Sequence, residues 1–314
     1  MSKNVALVLS SGSSRGLVHI GAIEALEECG YTITSIAGCS MGSLVGGMYA
    51  AGKLPELKQF FLGMDLLHML QVTDFSLSKN HLIKGDKLME RFGEMIPNVN
   101  IEDLPIPYVL IATDFERGEE KVFRSGNLNQ LIRASISIPV VFRPVSYQDM
   151  LLTDGGTCNP LPLNRVKRTP NDILVSINVN APIKQAQHKT PQDTSFIRII
   201  DHLIEKHYHK AFGGVLEKLL YEKEHSLVKF FNELAEKDMP LAELNYLNII
   251  NRITDIMLVQ NSQLMKQLCP ADMSVDIPNN RWGRYDYDHA QEIIEYGYQT
   301  MKAEIERFEK QAIK

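Results

Sequence analysis

From Asn4 to Val179 the chain alternates short apolar runs with segments whose apolar residues return every three or four positions, and this alternation most constrains the fold. Runs of the first kind suit buried strands and those of the second suit helices; strands separated by helices build a parallel sheet with crossover connections. Asn4–Leu9 reads as the first strand. Residues 17–28 follow as a helix, with Val18, Ala22, Ile23 and Leu26 close to one face and Gly30 as its stop. Residues 32–37 form a second predicted strand, and 42–51 a helix of small residues closed by Gly52. Residues 108–112 and 173–179 are two further interior strands, the former entered through Pro105 and Pro107, where a strand tolerates proline.

From Ala181 to Ser195 the composition turns polar, with Pro182, Pro191 and several amides, which marks a linker or surface loop. The remainder reads as mainly helical. In 196–212 the residues Phe196, Ile199, Ile200, Leu203, Ile204, Tyr208 and Phe212 share one face, while Arg198, Asp201, Glu205 and Lys206 fall opposite. Ala290, Ile293, Ile294, Gly297, Tyr298, Met301, Ile305 and Phe308 repeat the pattern. The expected fold is therefore an α/β body with a mainly parallel central sheet flanked by helices over residues 1–182. A mainly helical region, 183–314, would follow as a lid or as an extension packed on the same domain. Helix 196–212, with the apolar residues near 215–220 and 230–231, suits a lipid-facing lid. It equally suits ordinary packing on the sheet, the commoner fate of an amphipathic helix.

A hydrophobic share of 44% and a charged share of 23% are those of a globular protein with a sizeable core. The formal net charge of −5 argues against nucleic acid as a partner, while leaving a local basic patch for peripheral contact with anionic lipid. Cys29, Cys39, Cys158 and Cys269 show no CxxC or Cys/His spacing, so reduced thiols in a cytoplasmic protein are expected, with no metal site. The run Val5–Leu9 after Lys3 is too short for a signal-peptide core, and no stretch approaches the ~18 apolar residues of a membrane span. Nothing in the sequence indicates the oligomeric state.

Three short segments carry chemistry. Gly38-Cys39-Ser40-Met41-Gly42 is a G-x-S-x-G between a predicted strand and helix. That spacing lets a serine sit on a tight turn with its hydroxyl exposed, because side chains two residues to either side would collide with neighbouring backbone. Ser11-Gly12-Ser13-Ser14-Arg15-Gly16 joins the first strand to its helix. A small-residue loop there can aim backbone N–H groups at a developing oxyanion. A phosphate-binding loop and a plain turn are the competing readings, although the Lys-Ser/Thr ending of a P-loop and the G-x-G-x-x-G spacing are both missing. Asp154-Gly155-Gly156 follows the apolar pair Leu151-Leu152. It lets a carboxylate face a pocket while glycines turn the chain away; taken alone, it is also an ordinary β-turn sequence.

Together these segments resemble the patatin-like phospholipase family. The family's oxyanion loop, G-G-G-x-R/K-G, is matched by Gly12, Arg15 and Gly16, its nucleophile motif by Gly38, Ser40 and Gly42, and its D-G-G/A motif by Asp154, Gly155 and Gly156. His19-Ile20-Gly21, Ala112-Thr113-Asp114, Gly118-Glu119 and the stretch from Arg133 to Pro139 followed by Phe142 agree as well. The resemblance spans about residues 4–180, with a weaker echo at 286–303. It implies a patatin-like three-layer fold and a serine acyl-hydrolase acting on lipid or other carboxylic esters without cofactor. Ser40 would be the nucleophile, Asp154 its base, and the backbone N–H groups of Ser11, Gly12 and Ser13 the oxyanion donors, with Arg15 fixing the loop or meeting a phosphate. Ser11 and Ser13 stand where the family has glycine. Backbone donors survive that change, but access to positive φ and close approach by substrate suffer.

Two other readings remain. A Ser–His–Asp hydrolase would draw a histidine from His188, His202, His207, His209, His225 or His289, with His19 packing in its helix and Asp114 structural. A catalytically weak or inactive lipid-binding protein of the same fold would be explained by Ser11 and Ser13.

Overall fold

In the computed structural model of the chain, the described residues are 3–64, 91–183 except 93 and 140, and 246–312, with two short strands at 75–78 and 81–83. The predicted helix 196–212 and most of the expected linker lie outside them. The chain divides into two compact units, residues 1–191 with 257–314 and residues 192–256. Of the second, only 246–256 are described, all helical.

In chain order the elements are β1 (Asn4–Leu9), α1 (Val18–Glu28), β2 (Thr32–Cys39), α2 (Met41–Ala50), α3 (Leu54–Leu62), β3 (Phe75–Ser78) and β4 (His81–Ile83). Then come β5 (Tyr108–Asp114), β6 (Glu119–Phe123), α4 (Leu128–Ser135), β7 (Val145–Tyr147), β8 (Met150–Asp154) and β9 (Ile173–Ala181). The chain closes with α5 (Tyr246–Leu268), β10 (Met273–Pro278) and α6 (Ala290–Ala312). Among the described residues β3 and β4 pair only with each other. The main sheet has the order β10-β9-β1-β2-β5-β8-β7, with β6 also on β5. From β10 to β5 every pairing is parallel, and β6, β7 and β8 join antiparallel.

The sequence reading of a mainly parallel sheet between helices holds, and the reason is burial. β5 and β9 are buried at every position, as expected of strands covered on both faces, and their sequences are correspondingly rich in apolar and small residues. One face of the sheet carries the main core, built from β1, β2, β5, β9 and β10 against α1, α2, α4 and α6. α1 and α6 cross with their backbones nearly touching. A Cβ on Gly21 would lie 1.9 Å from Ile294 O, and one on Gly297 2.2 Å from Val18 O, so only glycine permits this approach.

The C-terminal region, expected to be mainly helical, supplies α5 and α6 and adds one strand that was not expected. β10 extends the sheet on β9, with Met273 opposite Val175 and Val275 opposite Ile177. Its alternation of buried Met273, Val275 and Ile277 with less buried neighbours is a strand signal, overlooked between two long helical patterns.

The sheet also fixes the level at which chemistry can occur. Cys39 lies opposite Ile111 across the β2–β5 pairing, and Ala112 lies opposite Asp154 across β5–β8. The antiparallel entry of β8 thus delivers the end of one strand beside the end of another. Among the described residues no helix is long and apolar enough to cross a membrane.

Candidate active site

Ser40 occupies the turn between β2 and α2 with φ 53° and ψ −120°, a conformation L-residues rarely adopt. Such backbone costs on the order of 1–3 kcal/mol and persists only where its surroundings hold it. Here the Ser40 N–H donates to Ser135 Oγ at 3.0 Å, and its carbonyl accepts from Ser43 N at 2.8 Å, Leu44 N at 3.1 Å and Ser43 Oγ at 2.6 Å. The flanking glycines allow the turn. A Cβ on Gly38 would sit 2.3 Å from Gly42 O, and one on Gly42 2.3 Å from Leu9 O.

Asp154 meets this serine directly. Ser40 Oγ donates to Asp154 Oδ2 at 2.5 Å, and Gly156 N donates to Oδ1 at 2.7 Å. No imidazole stands between serine and acid, as it would in a triad. Both residues are buried, and loss of solvent pushes the Asp154 carboxyl up from 3.8 to about 6. The Ser40 hydroxyl, the Gly156 N–H and the charge of Arg284 pull the other way. Asp154 is held in place through its backbone, with its N–H donating to Ser137 O at 2.9 Å and its carbonyl accepting from Thr113 Oγ1 at 2.9 Å. Gly155 packs on β5, where a Cβ would lie 2.3 Å from Ile111 O.

The Ser11–Gly16 segment runs into a 3-10 turn, Ser13–Leu17, that packs on the start of α2; a Cβ on Gly16 would lie 2.5 Å from Met41 Cγ. The backbone N–H groups of Ser11, Gly12 and Ser13 do not all face the site. Ser11 N donates to Pro160 O at 2.8 Å. Gly12 and Ser13 open the turn, where N–H groups have no intrahelical acceptor. Ser13 has φ 51°, the left-handed region expected of glycine at this position, whereas Ser11 has no positive φ.

Arg15 is buried and points into its own loop: Nε donates to Gly12 O at 3.2 Å and Nη1 to Asn279 O. Loop anchoring, one of its two expected roles, fits this geometry. Ser14 completes the clamp from the same distant segment, with Oγ donating to Gly283 O at 2.8 Å and N donating to Arg284 O at 3.2 Å. Asn180, at the end of β9, donates from Nδ2 to Ser11 O at 2.7 Å. His19 is fully buried; its Nε2 donates to Ser10 O at 2.9 Å, and burial lowers its pKa to about 4, which keeps it neutral. It thus braces the turn from behind.

The remaining candidates lie apart. His289 is half exposed, 3.5 Å from Glu292, and the other five histidines considered for a triad fall outside the described residues. Asp114 is bound to Arg117 at 2.8 Å, as a structural acid. Among the described residues no three His, Cys, Asp or Glu side chains group as metal ligands.

A direct serine–carboxylate contact, a strained serine turn and an adjoining small-residue turn occur together, and a family model described as patatin-like phospholipase matches residues 7–166. The chain belongs to that family. A Mycobacterium tuberculosis protein described as an uncharacterized NTE family protein is 40% identical over 179 residues, 57% of this chain and 50% of that one. The protein named lysophospholipase NTE1 from Scheffersomyces stipitis is 30% identical over 194 residues, 60% of this chain and 12% of its own length. Its namesake from Cryptococcus neoformans is 32% identical over 182 residues, 55% of this chain and 11% of its own. The matched part of this patatin-like chain spans half the length of that mycobacterial relative and far less of the fungal ones. The crystal structure of VipD from Legionella pneumophila aligns over 95% of this chain and 66% of its own, at 14% identity and a TM-score of 0.44.

Several supporting residues escaped the motif-level reading: Ser135 and Ser137 beneath Ser40 and Asp154, and Asn180, Asn279 and Gly283 around the turn. The first two lie in the Arg133–Pro139 stretch that already stood out. The last three carry no local signal, because their partners are more than 90 residues away.

Proposed function

We propose that this protein hydrolyses carboxylic esters of lipids, as a phospholipase A or lysophospholipase, with Ser40 as nucleophile and Asp154 as general base. The observation that carries this reading is the 2.5 Å contact between Ser40 Oγ and Asp154 Oδ2 at a serine held with positive φ. As Ser40 Oγ attacks the ester carbonyl carbon, its proton passes to Asp154. The carbonyl oxygen becomes an oxyanion facing the N–H groups of Gly12 and Ser13. Collapse expels the alcohol, which takes the proton from Asp154, and leaves acyl-Ser40. Water then attacks this acyl group, gives a proton to Asp154 and releases the acid, as Ser40 recovers its own. The route uses no cofactor. The fungal relatives named lysophospholipase support a lipid substrate, with the bilayer or micelle surface as the place of encounter.

A second reading, a lipid-binding protein without turnover, draws on the Ser11 N–H given to Pro160 and on the Cβ at Ser13. Reaction with a fluorophosphonate probe, read by mass spectrometry alongside Ser40→Ala and Asp154→Asn, separates the two. Adduct at Ser40 that falls at least a hundredfold in Asp154→Asn supports the dyad. An unlabelled wild type sinks it in favour of the binding protein.

A further inference from the structure

Ser11 stands where the family loop has glycine, and its backbone is fully occupied. Its N–H is given to Pro160 O at 2.8 Å, and its carbonyl accepts from Asn180 Nδ2 at 2.7 Å and Ser10 Oγ at 3.0 Å. No positive φ is required of it, so the side chain is tolerated without backbone strain. What the serine adds is a hydroxyl. That hydroxyl accepts from Asn180 Nδ2 at 3.3 Å and, among the described residues, donates its own proton to none. It also borders the base. A Cβ built on Gly156 would lie 3.2 Å from Ser11 Oγ and 3.0 Å from Asp154 Oδ1, so the hydroxyl and the carboxylate border the same side of this glycine.

A buried hydroxyl proton with no acceptor is destabilising unless something fills the place in front of it. Two oxygens of the reaction could do so: the oxyanion or the water that cleaves the acyl-enzyme. The oxyanion, on the route proposed above, turns to the N–H groups of Gly12 and Ser13, which leaves the water as the oxygen without a donor. A water is favoured on both sides, since it can donate to the carboxylate while accepting from Ser11.

We infer that the Ser11 hydroxyl holds the deacylating water against Asp154, so that Ser11 is a catalytic residue of the second half-reaction. This rests on the acyl-enzyme route proposed above. Ser11 Oγ–H donates to the water oxygen, and one water proton faces Asp154. The water's remaining lone pair forms the bond to the acyl carbon as that proton moves to Asp154. The C–O bond to Ser40 then breaks, and Asp154 returns the proton to Ser40 Oγ. Ser11 loses no proton at any stage. Its task is to orient, and a glycine at this position has no atom with which to do so.

The test uses the purified full chain and p-nitrophenyl butyrate in stopped flow, with intact mass spectrometry of the quenched enzyme. In Ser11→Ala the acylation burst keeps its rate, deacylation slows roughly tenfold, and butyryl-Ser40 accumulates. kcat falls and KM falls with it, because the slow step now follows the burst. Ser11→Thr restores deacylation, and Ser11→Gly, the family residue, behaves as Ser11→Ala. Equal loss of both steps, or loss of acylation alone, overturns the inference and makes Ser11 structural or an oxyanion donor. A wild type that never forms acyl-Ser40 overturns the underlying route, and the inference with it.

Discussion

Ser135 carries Ser40: its hydroxyl accepts the Ser40 N–H at 3.0 Å and donates to Ile111 O at 2.6 Å, tying the serine turn to the central strand β5. Ser135→Ala leaves one buried donor and one buried acceptor unpaired. The expected loss is about 1–3 kcal/mol of stability, read by urea denaturation, together with a tenfold or greater drop in ester hydrolysis. Ser135→Thr retains the hydroxyl and is expected to recover most of the activity. Wild-type turnover in Ser135→Ala would show that the turn holds its shape unaided.

The pH profile follows from Asp154. A base must be ionised to accept the Ser40 proton, and burial places this carboxyl at about 6 in place of 3.8. We expect kcat/KM to be flat above that pH and to fall about tenfold per pH unit below it. The limb is measured with a soluble ester whose own ionisation is silent. Activity that stays flat down to pH 4 would remove Asp154 from the role of base.

The same carboxylate opposes folding. Its folded pKa is raised, so the native state holds the proton more tightly than the unfolded chain between about 3.8 and about 6. Stability therefore declines as pH rises through that window, and above it the cost is complete, at ~3 kcal/mol. Asp154→Asn removes the charge and is expected to melt higher than wild type at pH 8 while being inactive. At pH 4 the two should melt nearly together. A lower melting temperature at pH 8 would mean that the Ser40 and Gly156 hydrogen bonds outweigh burial.

Ser13 offers a gain without such a trade. At φ 51° its Cβ crowds the backbone, and glycine does not. Ser13→Gly is expected to stabilise the fold by ~0.5–1 kcal/mol and to leave ester hydrolysis equal or higher. Thermal melting and initial rates decide. A destabilised variant would show that the Ser13 side chain makes packing contacts worth more than the strain.

How far the sequence could be read depended on the range over which each signal acts. β1, β2, β5 and β9 were legible because each is a short buried run next to turn residues, and α6 because Ile293, Ile294, Met301 and Ile305 repeat on one face. Ser40 and Asp154 were legible because each sits in its own glycine-flanked motif. Their contact at 2.5 Å spans 114 residues and was reached only through the resemblance. β10 went unread, since six residues between long helical patterns carry too little periodicity. Ser14 illustrates the limit: a small residue in a loop of small residues, it acquires a task only when Gly283 arrives beside it.

That arrival has a consequence for biosynthesis. The turn that faces Ser40 is made first, but the carbonyls that grip it belong to residues translated far later, Gly283 standing 269 positions beyond Ser14. A nascent chain thus carries its serine and its acid on the ribosome while the turn beside them lacks its clamp. Only when β10 has joined the sheet edge and brought Asn279 to Arg15 is the turn fully clamped. The turn beside the first strand is therefore finished by the last strand of the sheet to be made, and its assembly waits on a segment more than a hundred residues past Asp154.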